Sequence, residues 1–431
     1  MPTRSGFRVS NAERAIMIGK IGILGGGSVY TPELVSSIIA HNVGIEEIAL
    51  MGRSEHKLDV VAKFCQRMFD KNGFPTKVRG TTSVEETVTG AKYVLNQIRV
   101  GGMSARARDE ARAADVALVA DESLGAGGIS NALRTVPVAL EYARIIEEKS
   151  PRTILINLTN PMSMVVEAIA KQTKLNVVGV CDAPAQSVRR ITQMLRADGV
   201  ELHVDYIGVN HFGWIQDVKV NGRSQMSRLV DRVLRKKPDG FDLELIELFR
   251  MIPMRLASYF FHPTAVLKRQ KEATKFRGDQ LRENEQVILK EYENESLCDV
   301  PELTRGRNAM WYELCIVPLI EAFESKAPRE LVLCLTNNSA LKDLPDSASV
   351  EVPAKVSKKG ISVRKIGQSP CFLRGLLCSL KTSEEIALRA IEENCYEFAL
   401  QALTINPLVR SVSKARRFLD RVIQEEKLSL K

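Results

Sequence analysis

No run of apolar residues in the 431-residue chain approaches the ~18 that a membrane-spanning helix needs, so no membrane partner is expected. The opening stretch MPTRSGFRVSNAERAIMIGK has cationic residues but lacks the apolar core of a signal peptide, and a cytoplasmic location follows as the expectation. Paired CxxC spacing is missing too. The eight cysteines (Cys65, Cys181, Cys298, Cys315, Cys334, Cys371, Cys378 and Cys395) fall far short of a secreted disulfide scaffold and read mostly as small buried hydrophobes in a reducing compartment. There is no low-complexity tract and there are only 17 prolines; 45% hydrophobic and 26% charged residues are the balance of an ordinary globular chain. Aromatics make up only 6%, and they are not interleaved with the basic residues that give the chain its formal charge of +9. A nucleic-acid partner is therefore not expected, and an anionic small molecule accounts for the excess equally well.

What is present is a long alternation. At this length a chain exceeds what one hydrophobic core usually organises, so two domains are expected. The stretch KIGILGGGSVYTPELVSSIIA passes from a β-run at Ile21 to Leu24 through three glycines into a helical pattern, with Thr31 as N-cap, Pro32 at the first helical position and Glu33 in the first turn. Further β-runs at EEIALM, KYVLNQI, RTILINL and NVVGVC are separated by helical stretches such as 54–69 and 131–149. The pattern predicts an α/β fold, a Rossmann-like doubly wound parallel sheet over residues 20–190 behind an N-terminal extension of residues 1–19. After Arg190 the character changes. ELHVDYIGVNHFGWIQDVKVNGRSQ alternates with period two and carries an Asn221-Gly222 turn signal; long helical stretches then run to about Ala327. Two β-runs follow at ELVLCL and SVEVPAKV, and helices close the chain from about Ser383 to Glu426. Residues 191–431 read as a second, α+β domain for substrate, metal and oligomer contacts.

Ligands of an open α/β sheet sit outside the carboxyl ends of its strands, and that rule turns sequence positions into a site. Gly25, Gly26 and Gly27, with Ser28 after them, follow the first strand and let the backbone approach a pyrophosphate at a helix N-terminus. The second strand ends in LMGRSEHK, without the acidic residue that usually holds the ribose of NAD. Arg53 and Ser54 would suit a 2′-phosphate, which leaves NADP open beside NAD. Arg99 follows VLNQI, Asn157 and Asn160 end ILINLTNP, and Cys181 with Asp182 ends VVGVC. Cys181 or His211 alone would pass for a core residue. Thirty positions apart, both at strand ends and each beside a polar partner (Asp182, Asn210), they could share a divalent ion whose remaining positions are left for substrate oxygens.

Taken together, GILGGGSVYTPELV, NQIRVGGMSARARDE, ESLGAGGISNALRTVPV, INLTNPMSMVVEA, GVCDAPA, GVNHFGW, FRGDQ, LPDSASVEVPAKVSKKGI and NPLV resemble glycoside hydrolase family 4. These are the NAD- and divalent-metal-dependent glycosidases, which share their cofactor fold with lactate and malate dehydrogenases. The motifs occur in family order from about residue 20 to 410. The resemblance implies that Cys181 and His211 hold the metal, usually Mn²⁺, and that Arg99 and Asn160 grip the sugar with Arg277. It implies a homodimer or homotetramer as well. An acidic residue directly after the metal cysteine belongs to the α-glycoside branch, where it serves as acid; Asp182 fits. The chain departs from the family in three places. A glutamine-glutamate-threonine run appears as ADESLGAGG, keeping Glu122 for the substrate side; LASYFFHP leaves Tyr259 as the only tyrosine of a usual cluster that supplies the base; the ribose carboxylate is absent.

The implied reaction is hydrolysis of a small-molecule glycoside, anionic at the sugar's C6 because Arg99 and Arg277 suit such a group. Hydride removal at C3 acidifies C2, Tyr259 takes the C2 proton, the aglycone leaves with help from Asp182, and water adds before the hydride returns. Two other readings stay open. One is an NAD(P)-dependent dehydrogenase of a hydroxy acid or sugar acid; the other is a cofactor-retaining sensor of sugar or redox state without turnover.

Overall fold

The computed structural model describes residues 17–197, 200, 202–306 and 309–431; most of the expected N-terminal extension, residues 1–16, lies outside the described residues. Strands β1 (Met17–Leu24), β2 (Gly44–Met51), β3 (Lys77–Thr81), β4 (Tyr93–Asn96), β5 (Ile154–Asn157) and β6 (Asn176–Gly179) pair in parallel in the order β3-β2-β1-β4-β5-β6. This is the doubly wound order, and the reversal between β1 and β4 opens a crevice at the strands' carboxyl ends. Successive side chains go to opposite faces. Ile21, Ile23, Leu95 and Ile156 pack under the helices Thr31–Ala40 and Glu55–Lys71, whereas Leu24, Val94 and Leu155 pack under Gly125–Lys149 and Met162–Gln172. With both faces covered, the central strands have no polar side, which is why they read as continuous apolar runs.

Three expectations need correction. Thr31 is not the N-cap of the first helix: Tyr30 is, and Thr31 is the first helical residue. Its hydroxyl instead donates to the Gly26 carbonyl at 2.9 Å, stitching the helix to the glycine turn. The helix expected over 131–149 begins at Gly125, because GAGG packs against its own preceding loop. A Cβ at Gly127 would lie 2.0 Å from the Asp121 carbonyl oxygen, so only glycine lets the helix start there. The closing helical region starts at Cys371 rather than near Ser383.

The second half continues the same sheet. Strands β7 (Leu202–Val209), β8 (Phe212–Val220), β9 (Arg223–Ser224), β10 (Ile252–Pro253), β11 (Arg329–Thr336), β12 (Ser349–Ser357) and β13 (Gly360–Val363) are antiparallel to their neighbours and extend it as β6-β11-β12-β7-β8-β10, with β9 on β8 and β13 on β12. Two narrow seams hold this extension. Cys334 of β11 pairs with Gly179 of β6, and Glu351 of β12 pairs with Gly208 of β7. A Cβ at Gly179 would meet the Cys334 Cβ and the Met162 sulfur at 2.9 Å, so the close approach demands glycine. The β7–β8 hairpin is anchored by Trp214, fully buried and met edge-on by Phe249, Phe261 and Phe372. Among the described residues no helix is long and apolar enough to cross a membrane.

Candidate functional site

The turn after β1 is fixed by its neighbours on both sides. Gly25 adopts φ +82°, and a Cβ there would sit 2.7 Å from the Gln97 carbonyl oxygen, so this position takes only glycine. The Gly26 amide donates to the Met51 carbonyl at 2.7 Å, and the Gln97 side-chain amide donates to the Gly25 carbonyl at 3.2 Å. Held this way, the turn forms one end of a cleft of about 520 Å³. Gly25, Gly27 and Ser28 line it from the turn and Arg53 from the end of β2. Arg99, Glu122, Asn160, Cys181, Asp182 and His211 line it as well. Gly26, Tyr259 and Arg277 are not among the lining residues. Gly26 packs its Cα against Leu50 behind the turn. Arg277 is exposed at the first residue of the helix Arg277–Tyr292, its guanidinium 3.3 Å from the Gln280 side-chain oxygen.

Cys181 is the N-cap of the helix Asp182–Leu195, and Asp182 is that helix's first residue, its carboxylate accepting from the Gln186 side-chain amide at 2.6 Å. Burial pushes the Cys181 thiol well up from its ordinary range, and the carboxylates of Glu351 and Asp182 push the same way. A divalent cation bound here would invert that balance. His211 is the second residue of the two-residue turn joining β7 to β8, at φ +68°, a backbone conformation that few residues with side chains adopt. Its Nδ1 is buried with no hydrogen-bond partner, and so is the Asn160 side-chain oxygen. A buried unpaired polar atom costs about 1–3 kcal/mol, and two of them in residues lining the same cleft as Cys181 suit a ligand that would satisfy them there. Among the described residues no cluster of three or more His, Cys, Asp or Glu side chains is arranged to hold a metal ion. An ion here would thus rest on Cys181 and His211 and leave coordination positions for other oxygens.

Behind these donors lies Glu351, fully buried on β12. It accepts from the Tyr206 hydroxyl at 2.5 Å and from the Asn210 side-chain amide at 3.2 Å. Burial raises its pKa against the pull of those hydrogen bonds and of His211. The sequence reading passed over Glu351, although an acid inside the apolar run SVEVPAKV was a usable signal. It missed Arg106 as well, whose guanidinium holds Glu110 at 2.8 Å and Glu122 at 2.9 Å. Arg99 pairs with the other oxygen of Glu122, and the Asn131 side-chain amide donates to the backbone carbonyls of Glu122 and Asn160 at 3.0 and 2.9 Å. Nothing in SARARDEARAAD distinguishes Arg106 from its basic neighbours. Tyr259 stands behind this wall. Its hydroxyl donates to Asp121 at 3.2 Å, and burial first, then the Asp121 charge, raise its pKa.

Comparison with known proteins gives these features a family. A model described as family 4 glycosyl hydrolase matches residues 20–197, and one described as the family 4 glycosyl hydrolase C-terminal domain matches residues 206–409. A probable 6-phospho-beta-glucosidase of Bacillus subtilis is 31% identical over 428 residues, covering 95% of this chain and 97% of its own. The solved 6-phospho-beta glucosidase of Thermotoga maritima, with manganese, NAD+ and glucose-6-phosphate, superimposes with a TM-score of 0.88 at 27% identity, covering 96% of this chain and 99% of that one. Malate dehydrogenase of Plasmodium falciparum shares the fold at a TM-score of 0.51 and 12% identity, over 87% of this chain and 99% of its own.

Proposed function

This chain belongs to the family 4 glycosyl hydrolases, and on that premise we propose that it hydrolyses an anionic glycoside by oxidation at the sugar's C3, elimination across C1 and C2, and addition of water. The observation that carries this reading is the convergence of the glycine turn, the Arg99–Glu122 pair and the Cys181/His211 donors on one cleft. Gly25, Gly27 and Ser28 would hold the pyrophosphate of a nicotinamide dinucleotide, and Cys181 with His211 a divalent ion such as manganese. Bound there, the dinucleotide supplies a hydride acceptor and later donor for C3, and the ion a Lewis acid for the sugar's hydroxyl oxygens, so that the C2 hydrogen becomes acidic.

The chain's own residues do the rest. Arg99 takes the anionic group on the sugar, for which its planar fork is suited, and Asn160 orients the ring by its free side-chain oxygen. Asp182, steadied by Gln186, gives its proton to the glycosidic oxygen as the aglycone leaves. Tyr259, which does not line the cleft in this structure, turns into it to accept the C2 proton, and Asp121, hydrogen-bonded to its hydroxyl in this structure, takes the phenolic proton. An acid directly after the metal cysteine favours an α-linked substrate.

The decisive experiment is turnover of 6-phospho, uronic and neutral aryl glycosides in both anomers, with Mn²⁺ and either NAD+ or NADP+, in D₂O. Release of the 6-phospho or uronic sugar without net reduced dinucleotide, carrying deuterium at C2, is the expected result. Steady accumulation of the reduced dinucleotide would mean a dehydrogenase. Released sugar without deuterium at C2 would end the elimination mechanism, since displacement at the anomeric carbon never touches C2.

A further inference from the structure

The part of the cleft that faces away from the metal donors has a chemistry of its own. In a doubly wound sheet the end of β2 meets the adenosine ribose of a bound dinucleotide, and a carboxylate there accepts from the 2′- and 3′-hydroxyls of NAD while repelling a 2′-phosphate. This chain has Gly52, Arg53 and Ser54 at that place, and all three line the cleft together with Gly25, Gly27 and Ser28 of the turn. Gly52 is fastened by its amide to the Thr81 carbonyl at 3.4 Å, so the loop leaves β2 in a fixed direction.

We infer that the dinucleotide this chain binds is the 2′-phosphorylated form, NADP, with Arg53 and Ser54 as the phosphate ligands; the inference rests on the cofactor site proposed above. Arg53 is exposed, and no carboxylate among the described residues pairs with it, so its five donors are free. Ser54 caps the helix Glu55–Lys71: its oxygen accepts from the Lys57 amide at 3.4 Å, which leaves the hydroxyl proton to donate outward. Lys57 also lines the cleft, but its ammonium is committed to Glu285 at 2.7 Å. Among the described residues Glu285 is the one acidic residue lining the cleft besides Glu122 and Asp182, and that pairing neutralises it as a rival ribose ligand. Glu55, next along the chain, does not line the cleft. A 2′-phosphate carries about −1.5 to −2 charges near neutral pH and would meet an unpaired guanidinium, a hydroxyl donor and no free carboxylate.

The test is direct binding of NADP+ and NAD+ to the full-length protein by calorimetry, without substrate or turnover. NADP+ should bind roughly ten- to a hundred-fold more tightly, the range expected for charge-assisted hydrogen bonds to one phosphate. Arg53→Ala should remove most of that advantage while changing NAD+ affinity by less than about two-fold, since NAD+ has no group for the guanidinium to grip. Gly52→Asp should move the preference toward NAD+. Equal or tighter binding of NAD+ to the wild-type protein overturns the inference while leaving the proposed reaction intact, and so does an undiminished NADP+ preference in Arg53→Ala. Binding of neither nucleotide overturns it together with the cofactor site itself.

Discussion

The Arg99 guanidinium and the Glu122 carboxylate are paired inside the cleft, and Arg106 holds the second oxygen of that carboxylate. Glu122 thus occupies Arg99 before any anionic sugar arrives. Arg99→Ala should lower kcat/KM for a 6-phosphorylated glycoside by ~10²-fold or more and leave neutral glycosides much less affected. Glu122→Gln should bind the phosphorylated sugar at least as tightly as the wild type, because two guanidinium groups lose their competing anion. Equal losses on charged and neutral sugars in Arg99→Ala would take the anionic group away from Arg99.

Metal dependence follows from the orphaned Nδ1 of His211 and the buried thiol of Cys181. EDTA should abolish activity and Mn²⁺ under reducing conditions should restore it. Cys181→Ala and His211→Ala should each keep the native circular dichroism spectrum yet bind no stoichiometric manganese by elemental analysis. Manganese retained at full stoichiometry in both variants would place the ion elsewhere.

Tyr259 and Asp121 act as one unit in the proposed proton transfer, so their substitutions should not add. Tyr259→Phe should cost ~10²–10⁴-fold in turnover, and Asp121→Asn should slow the Tyr259 enzyme markedly yet have little further effect on Tyr259→Phe. Deuterium exchange at C2 with an unchanged Tyr259→Phe rate would assign the base to another group.

A second buried polar cluster concerns stability rather than chemistry. The Lys381 ammonium lies 2.6 Å from both Glu167 and Glu384 and 3.1 Å from the hydroxyls of Ser163 and Ser349, tying the helix that follows Asn160 to the helix Cys371–Glu393 and to β12. Burial alone would raise the Glu167 pKa, but Lys381, Lys171 and the Ser349 amide outweigh it and hold it at about 2. A carboxyl depressed in the folded state contributes stability that is complete above its unfolded value, near 4.5, and is lost as pH falls toward 2. Acid denaturation should therefore begin in that window. Lys381→Met strands two buried carboxylates and should cost about 3–5 kcal/mol at neutral pH. Unfolding by urea at pH 7 and pH 4 would show the variant recovering part of its deficit at the lower pH, where those carboxylates can protonate. A deficit that grows on acidification would contradict the assignment.

Much of this was legible in the sequence, and what was hidden has identifiable causes. Strand tips such as VVGVC followed by Asp182 were readable because an apolar run buried on both faces ends abruptly where the cleft begins. β3 escaped notice: KVRGT is a mostly exposed edge strand with no apolar alternation to reveal it. The insertion of β11 and β12 between β6 and β7 could not be read at all, since it depends on pairings across more than a hundred residues that local pattern does not encode. Glu351 reaches the site only through those pairings, whereas Arg106 and Asn131 reach it over 9 to 29 residues, by side-chain directions that residue type does not fix. The resting contact of Tyr259 with Asp121 is a matter of side-chain direction, which residue type does not fix.

The seams of the sheet decide which kinds of genetic change the site can survive. Cys181 stands two residues beyond Gly179, and His211, in the β7–β8 turn, three beyond Gly208, so both proposed metal donors lie within three residues of a paired strand position. A substitution in either segment perturbs packing, which neighbours can relax around. An insertion or deletion of one residue between seam and ligand is different in kind: it moves the donor by ~3.3 Å of chain relative to the paired strand. Length variation should accumulate freely in the surface connections of this chain's descendants and be purged from these two short intervals.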